Sequence, residues 1–197
     1  MHKTTGAIIV VLLGCFFSPA IAERPFKPAL SFPKAADPFT KAKYNKDGYV
    51  YKSGRIRNGG LGCSAYTSVV LHRMRHGKGW QKPYSLKVHQ WYGDRIAKHF
   101  GLKQAGRFSA KTLLNGASTK QLVATGKLKA NILYVFNVRK GKQGHVGFVR
   151  VKADGKMIQS HYSGLPRYQG LATGDFRIWL RASQYRIANV ELFAVPE

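Results

Sequence analysis

The sequence predicts an α+β fold, in which N-terminal helices pack on an antiparallel sheet of about five strands. Between residues 64 and 124, apolar residues recur with the period of amphipathic helices. From residue 129 onwards, short runs of β-branched and aromatic residues alternate with glycine-containing turns, as in antiparallel strands. Because the helical patterns come first and the strand patterns later, the order favours an α+β domain over alternating βα units.

Residues 1–22 have the pattern of a cleaved signal peptide. A basic start is followed by an apolar run from Ala7 to Phe17, which is short for a membrane span, and by an Ala-x-Ala site at 20–22. We therefore expect export to the periplasm or the medium. A lipoprotein signal ending at Cys15 ranks second, because apolar residues follow that cysteine.

Residues 23–43 carry four prolines, which fix φ and remove backbone donors, so an extended arm is expected there. A turn is expected at 45–48, and residues 44–197 are expected to form a single domain. The predicted helices span 64–75, 84–100, 109–115 and 118–124. The predicted strands span 132–138, 145–151, 156–162, 176–181 and 190–195.

The composition is strongly basic, with 33 lysines and arginines against 8 acidic residues and a formal net charge of +25. This excess indicates an anionic partner. Given the export signal, peptidoglycan or another anionic envelope polymer is favoured over nucleic acid, and peripheral membrane contact ranks behind the polymer. The scattered acids suggest no glycosidase pair, and no metal-ligand motif or phosphate-binding loop occurs, so no cofactor or metal is expected.

Cys63 is the strongest candidate for chemistry. The chain has two cysteines, and the other one, Cys15, would leave with the signal peptide. The exported protein would then carry one thiol with no disulfide partner in an oxidising compartment. The glycines at 59, 60 and 62 precede helix-compatible residues, which predicts a thiol at a helix N-terminus, where the thiolate is favoured. The alternative is a buried, inert cysteine.

A nucleophilic thiol needs an imidazole and a third group that orients it. Among seven histidines, His145 stands out because it opens a predicted strand directly after a glycine-bracketed loop, with Gly147 leaving room beside it. Gln159 and His161 share one face of the next strand, and a hairpin at 154–155 would bring that face beside His145. Either residue is then the orienting group. The alternative for His161 is an ordinary polar residue on a solvated face.

These residues resemble the NlpC/P60 family of papain-like cysteine peptidases, which cut peptide bonds in peptidoglycan. The matching segments are Tyr51-Lys52-Ser53-Gly54, Gly62-Cys63-Ser64-Ala65, the apolar strand Ile132 to Phe136, His145-Val146-Gly147-Phe148-Val149 and Met157-Ile158-Gln159-Ser160. The resemblance covers roughly residues 49–162. It departs from the family pattern at Gly62, where an aspartate is usual, at Ala65, where a glycine is usual, and in a basic insertion between Ser85 and Lys129.

The resemblance implies a papain-like catalytic domain with Cys63 as nucleophile and His145 as base. It implies Gln159 as the orienting residue, with His161 in its place if the strand shifts, and Tyr51 near the oxyanion site. The expected activity is hydrolysis of a peptidoglycan amide bond, and a toxin-type amidase fits nearly as well. A non-catalytic basic module that binds an envelope polymer or membrane, and a lipid acyl-transfer enzyme, are the alternatives. An inhibitor or immunity protein is a further partner class.

Overall fold

The structure is a computed structural model, and it describes residues 26–41, 43, 49–50, 56–57, 61–77, 93–141, 143–163 and 170–197. Within these ranges the chain forms six helices and a six-stranded antiparallel sheet, which confirms the α+β class. The expected signal peptide, the turn at 45–48, Tyr51 and the first half of the predicted helix 84–100 lie outside the described residues.

The helices are α1 (Phe32–Ala36), α2 (Cys63–His76), α3 (Gly93–Phe100), α4 (Ala110–Leu114), α5 (Gly116–Ala124) and α6 (Phe176–Ala182). The strands are β1 (Tyr49–Val50), β2 (Ile56–Arg57), β3 (Lys103–Ser109), β4 (Leu133–Lys140), β5 (Gln143–Val151), β6 (Met157–Ser163), β7 (Gly170–Asp175) and β8 (Asn189–Val195). The main sheet has the order β3-β8-β4-β5-β6-β7, and β1 and β2 form a separate two-stranded ladder.

The sheet has a helical layer on each side, because successive side chains of a strand point to opposite faces. Val146 and Phe148 of β5 pack in the cluster that contains α1, α2 and α3, on the side we call the α2 face. Val149 and Val151 pack in the cluster that contains α4 and α6, on the side we call the α6 face. Each residue of β5 can therefore be assigned to one helical layer.

Helix α2 is fastened to the α2 face through Tyr66. The Tyr66 hydroxyl hydrogen-bonds the Ser160 hydroxyl of β6 at 2.8 Å. Its ring lies 5.9 Å from that of Phe148 and 5.0 Å from that of Tyr162. These contacts hold the first turn of α2, which begins at Cys63, against β5 and β6.

The segment expected to be an extended arm instead contains α1 and a 3-10 turn at Asp37–Phe39. Pro33 lies in the first turn of α1, where a missing N–H costs nothing. Phe39 is buried, and the Phe32 ring packs 4.9 Å from the Phe148 ring. Burial of these rings explains why the prolines do not leave this segment extended.

One predicted strand is wrong, since residues 176–181 form α6. Phe176, Trp179 and Leu180 are spaced to share one helical face, and all three are buried. The Asp175 side chain caps the helix by accepting a hydrogen bond from the Arg177 N–H at 2.9 Å. An aspartate followed by this spacing was the helix signal in the sequence.

The sheet has six strands rather than about five, and the two edge strands, β3 and β7, are not among the predicted strands. Strand β3 reads KQAGRFS and is largely exposed, and β7 reads GLATGD. Neither segment shows the alternation of apolar residues that marks a half-buried strand. Edge strands have only one neighbour, so tertiary pairing can place such sequences in a sheet.

Candidate active site

The thiol of Cys63 lies at the N-terminus of α2. Gly62 precedes it with φ −82° and ψ 165°, an extended conformation, so the helix begins at Cys63. The first N–H groups of a helix lack partners within the helix and make this end electropositive. Cys63 is half-buried and its thiol is free.

Burial raises the pKa of the Cys63 thiol, and hydrogen bonds from the backbone N–H groups of Val146, Ser64 and Cys63 itself lower it by less. The net pKa is raised above the ordinary value of 9.0, so the thiol is protonated at neutral pH in this arrangement. Three backbone donors around one sulfur also form the kind of group that stabilises an oxyanion during acyl transfer.

The bond from Val146 shows where the sulfur lies. The backbone of Val151 bonds to Asn131 and Ile132, the two residues before β4, so it points towards β4. By alternation the backbone groups of Val146 point the other way, towards β6. The β5–β6 ladder ends at Phe148–Ser160, before it reaches Val146. The sulfur of Cys63 therefore lies where β5 and β6 separate, a place we call the β5–β6 opening.

Three polar side chains form a hydrogen-bonded chain on the α6 face. His145 Nε2 lies 2.8 Å from His161 Nδ1, and His161 Nε2 lies 3.0 Å from Gln159 Oε1. His161 and Gln159 are buried, and His145 is half-buried. Gln159 and His161 are alternatives for the orienting position in the sequence, whereas the structure arranges them in series behind His145.

The Gln159 amide is oriented with Oε1 towards His161 and with its buried Nε2 unpaired, and this orientation sets the direction of the chain. An amide oxygen only accepts, so His161 Nε2 donates to it and His161 Nδ1, in the neutral ring, accepts. His145 Nε2 then donates to His161 Nδ1, which leaves the Nδ1 lone pair of His145 unprotonated. His145 Nδ1, the ring nitrogen nearest the backbone of β5, is therefore the atom that can act as a base.

Aromatic rings from α6 and β4 enclose the two imidazoles. The His145 ring lies 4.9 Å from Trp179 and 5.9 Å from Phe136, and the His161 ring lies 4.6 Å from Trp179. Burial among these rings lowers the pKa of His145 to about 3. Burial, and to a lesser extent the neighbouring His145, lowers the pKa of His161 well below its usual value. Both rings are therefore neutral at pH 7.

Gly147 allows β5 and β6 to come close enough for this chain. A Cβ at Gly147 would lie only 2.2 Å from the Cβ of His161 and 2.9 Å from the Phe136 ring. This glycine is expected from the sequence to leave room beside His145, and His161 occupies that room.

Cys63 and His145 approach the β5–β6 opening from opposite faces of the sheet. Cys63 packs with the cluster on the α2 face, whereas the His145 ring contacts Trp179 on the α6 face. Within the described ranges, no hydrogen bond joins the thiol to an imidazole, and His145 Nδ1 has no hydrogen-bond partner. The N–H that contacts the sulfur belongs to Val146, and Val146 directly follows His145 in β5.

The other histidines in the described part of the chain lie elsewhere. His72 and His76 lie on α2, with ring centroids 4.5 Å apart, and His99 lies on α3. Tyr51, expected near the oxyanion site, is outside the described residues.

Two contributors were not predicted. The Val146 N–H carried no signal, since backbone donors are invisible in a sequence. Trp179 falls in a segment that is predicted as a strand. Read as a helix, the same segment places Trp179 on one face with Phe176 and Leu180, the face that packs on the sheet.

In the regions the structure describes, no three His, Cys, Asp or Glu side chains are grouped so as to hold a metal ion. None of the described helices is both long and apolar enough to cross a membrane. No family model, no curated protein and no solved structure matches the chain.

Proposed function

We propose that this protein is an exported, papain-like thiol hydrolase of the NlpC/P60 type, which cleaves an amide bond in peptidoglycan. The observation that carries the proposal is the placement of two groups at consecutive residues of β5, with the Cys63 thiol beside Val146 on one face of the sheet and the His145 ring on the other. A free thiol surrounded by backbone donors comes from α2, and a histidine with an oriented ring comes from β5. A nucleophile, an imidazole and an orienting group are the parts that thiol acyl transfer requires.

In the proposed reaction, His145 Nδ1 accepts the proton of the Cys63 thiol, and the sulfur attacks the amide carbonyl. The carbonyl oxygen becomes an oxyanion near the N–H groups of Val146 and Ser64. The imidazolium then donates its proton to the leaving amine, and the C–N bond breaks to give a thioester. His145 next removes a proton from water, which attacks the thioester and releases the acid and the thiol.

The arrangement described above is the resting form in this proposal. The raised pKa of Cys63 and the contact of His145 with the α6 face both favour a neutral thiol beside a neutral imidazole. Substrate entering the β5–β6 opening would have to bring the Sγ atom and Nδ1 within hydrogen-bond distance. A catalytic pair that tightens only with substrate bound is common in hydrolases.

The basic composition supports an anionic polymer as substrate. With 33 basic and 8 acidic residues, the protein would be held electrostatically against an anionic wall. Such retention weakens as salt screens the charges. The expected signal peptide would deliver the protein to the compartment that contains this polymer.

The decisive experiment treats purified sacculi with the exported form of the protein and resolves the released fragments by mass. We expect fragments with new amine and carboxyl ends, and their loss in Cys63→Ala and His145→Gln. Lys127→Gln, which changes an exposed charge away from the opening, serves as the control and should retain activity. Fragments that persist in Cys63→Ala would refute the proposal.

A second candidate is a binding module with an inert Cys63. The specific observation that favours it is the protonated, half-buried thiol with no hydrogen bond to an imidazole in the described ranges. In the same experiment this candidate predicts unchanged muropeptides with the protein bound to the sacculi, equally in wild type and Cys63→Ala.

A further inference from the structure

Two histidines at the C-terminal end of α2 lie outside the proposed catalytic chain. His72 and His76 are four residues apart, and the helix ends at His76. Side chains at positions i and i+4 of a helix project from the same face, one turn apart. Their ring centroids are 4.5 Å apart, with the ring planes inclined by 40°. The helix therefore brings two imidazoles together at its surface.

The spacing of these two rings fits a single metal ion. Imidazole nitrogens bind Zn²⁺ at about 2.0–2.1 Å, so two of them on one tetrahedral ion are about 3.3 Å apart. Rings with centroids 4.5 Å apart reach that separation by small rotations of their side chains. A ligating imidazole binds the ion through one nitrogen and donates from the other to a neighbour, so a hydrogen bond to either ring is compatible with ligation.

The exposure of the two rings suits a site that an ion enters from solvent. His72 is half-buried, so packing restricts its ring, whereas His76 is exposed. A metal site needs both ligands held close together and a path by which the ion enters. His72 meets the first requirement and His76 meets the second.

The charges near the pair are arranged so that a cation is tolerated there. The Arg73 guanidinium donates to the carbonyl of Ala35 and lies over the Phe39 ring. The Arg75 guanidinium lies over the Phe26 ring, 5.7 Å from its centroid. Both arginine side chains therefore extend to the N-terminal segment. The last carbonyl groups of a helix form the negative end of its dipole, which favours a cation at this end of α2.

His99 of α3 is a third histidine in this part of the molecule. Its charge acts on His72, and its ring packs 4.9 Å from the Phe100 ring. Among the residues that the structure describes, however, no three His, Cys, Asp or Glu side chains are grouped as ligands of one ion. The pair on α2 thus supplies two protein ligands, and water would fill the other positions.

We propose that His72 and His76 form a surface site for a divalent ion of the late first-row transition metals, of which Cu²⁺ and Zn²⁺ are the tested examples. Neutral imidazole suits these ions, whereas Mg²⁺ and Ca²⁺ prefer oxygen ligands. Cu²⁺ binds more tightly than Zn²⁺ to a given set of nitrogen ligands. The bound ion links adjacent turns of α2 and stabilises the folded protein, because the unfolded chain does not hold the two rings together. The site does not depend on the proposed hydrolase.

Binding is tested in the exported form of Cys63→Ala, because a thiolate is itself a strong ligand for these metals. Calorimetry titrates this protein with the chlorides of copper, zinc and magnesium at pH 7.5. We expect one Cu²⁺ per chain, weaker binding of Zn²⁺ and no binding of Mg²⁺. His72→Gln and His76→Gln should each weaken Cu²⁺ binding about tenfold or more, since even the loss of a group that supports a ligand costs 10- to 100-fold. His99→Gln is the matched control and should leave the affinity unchanged.

Electron paramagnetic resonance of the Cu²⁺ complex counts the bound nitrogens. We expect two imidazole nitrogens in Cys63→Ala and one after the further change His76→Gln. The melting temperature should rise with Cu²⁺ concentration in Cys63→Ala and not when His76→Gln is added. Because His76 is exposed, this variant should fold even if His72→Gln does not.

Equal Cu²⁺ affinity of the His76→Gln and His99→Gln variants would overturn the assignment, and so would a resonance spectrum that His76→Gln leaves unchanged. Mg²⁺ binding that matches Zn²⁺ binding would also overturn it, since imidazole ligands would not explain such a site. Cleavage of sacculi tests only the hydrolase, so the two proposals can fail separately.

Discussion

His145 Nε2 and His161 Nδ1 lie 2.8 Å apart on neighbouring strands, and this hydrogen bond aligns the two rings with Gln159. The pair is enclosed by Trp179 and is neutral. Because Gln159 Oε1 accepts from His161, the proton of each imidazole is assigned along the chain. The geometry therefore makes Gln159 a positioning residue that acts on His145 through His161.

Replacing Gln159 with Met should remove the constraint that keeps the His145 proton on Nε2. Without the acceptor oxygen, His161 can carry its proton on Nδ1 and donate to His145, which then loses the free lone pair on Nδ1. We expect kcat to fall about tenfold with KM unchanged, against about 10²- to 10⁴-fold for His145→Gln, the usual contribution of a positioned base. Nitrogen chemical shifts of the imidazoles report the tautomer directly.

Gln159→Glu tests the same position in a different way. A buried carboxylate accepts from His161 but favours its imidazolium form, which also donates from Nδ1, so this variant should likewise shift the His145 proton to Nδ1. If both variants retained the wild-type tautomer, the positioning role would be wrong.

The thiol of Cys63 should react slowly with iodoacetamide at neutral pH. Burial raises its pKa above the ordinary value of 9.0, and alkylation requires the thiolate. The rate should therefore still be rising above pH 9, and His145→Gln should have the same profile, since neither His145 nor His161 hydrogen-bonds the thiol in this arrangement. An apparent pKa below about 8 that rises in His145→Gln would instead show a thiolate–imidazolium pair in the free protein. Alkylation in urea supplies the reference rate.

Gly147→Ala should destabilise the fold by about 2 kcal/mol or more. The added methyl group would meet the Cβ of His161 at 2.2 Å, and overpacking of this kind forces strands apart. Gly116→Ala provides the comparison, because the atom it would meet is the flexible end of the Arg177 side chain. Urea unfolding should show little change for Gly116→Ala. Equal stability of the two variants would contradict the close approach of β5 and β6.

Stability should decrease as the pH falls below about 6.5. The folded-state pKa of His145 is about 3 and that of His161 is also well below the ordinary value of 6.5, so protons bind to the unfolded chain first. Burial of the neutral imidazoles contributes fully to the free energy of unfolding above about pH 6.5. This contribution is lost progressively as the pH falls towards the folded-state pKa values of the two histidines. His72, whose pKa is lowered to about 4 mainly by burial, acts in the same direction.

Urea unfolding at pH 7.5, 6.0 and 4.5 measures this dependence. The double variant His145→Asn with His161→Asn should have a shallower decrease than the wild type, with a remaining slope from His72. An identical pH dependence in the double variant would mean that the two imidazoles are not buried as described.

Local patterns in the sequence were sufficient for most of the secondary structure. Helix α2, the helices α4 and α5, and the strands β4, β5, β6 and β8 were predicted close to their observed bounds. In each of them a single stretch of chain carries the periodicity that tertiary packing then uses. The errors fall on the edge strands β3 and β7 and on α6, where the sequence pattern was weak or was misread.

For the candidate site, the sequence singled out Cys63, His145, Gln159 and His161 and put the last two on one strand face. Strand alternation is a local property, and so is the position of a cysteine after glycines at a helix start. Whether Gln159 or His161 bonds His145 directly, or whether they form one chain behind it, depends on the distance between side chains of β5 and β6. No single stretch of sequence contains that information.

The sequence by itself determined the class of fold, the position of the thiol at the start of α2 and the alternation of polar residues along β5 and β6. Only the tertiary structure decided that the β5–β6 ladder opens before Val146, that Cys63 and His145 reach this opening from opposite faces, and that Gln159 and His161 stand in series behind His145. These relationships depend on strand order, register and ladder length. All three are set by the packing of two helical layers on one sheet, to which every part of the chain contributes.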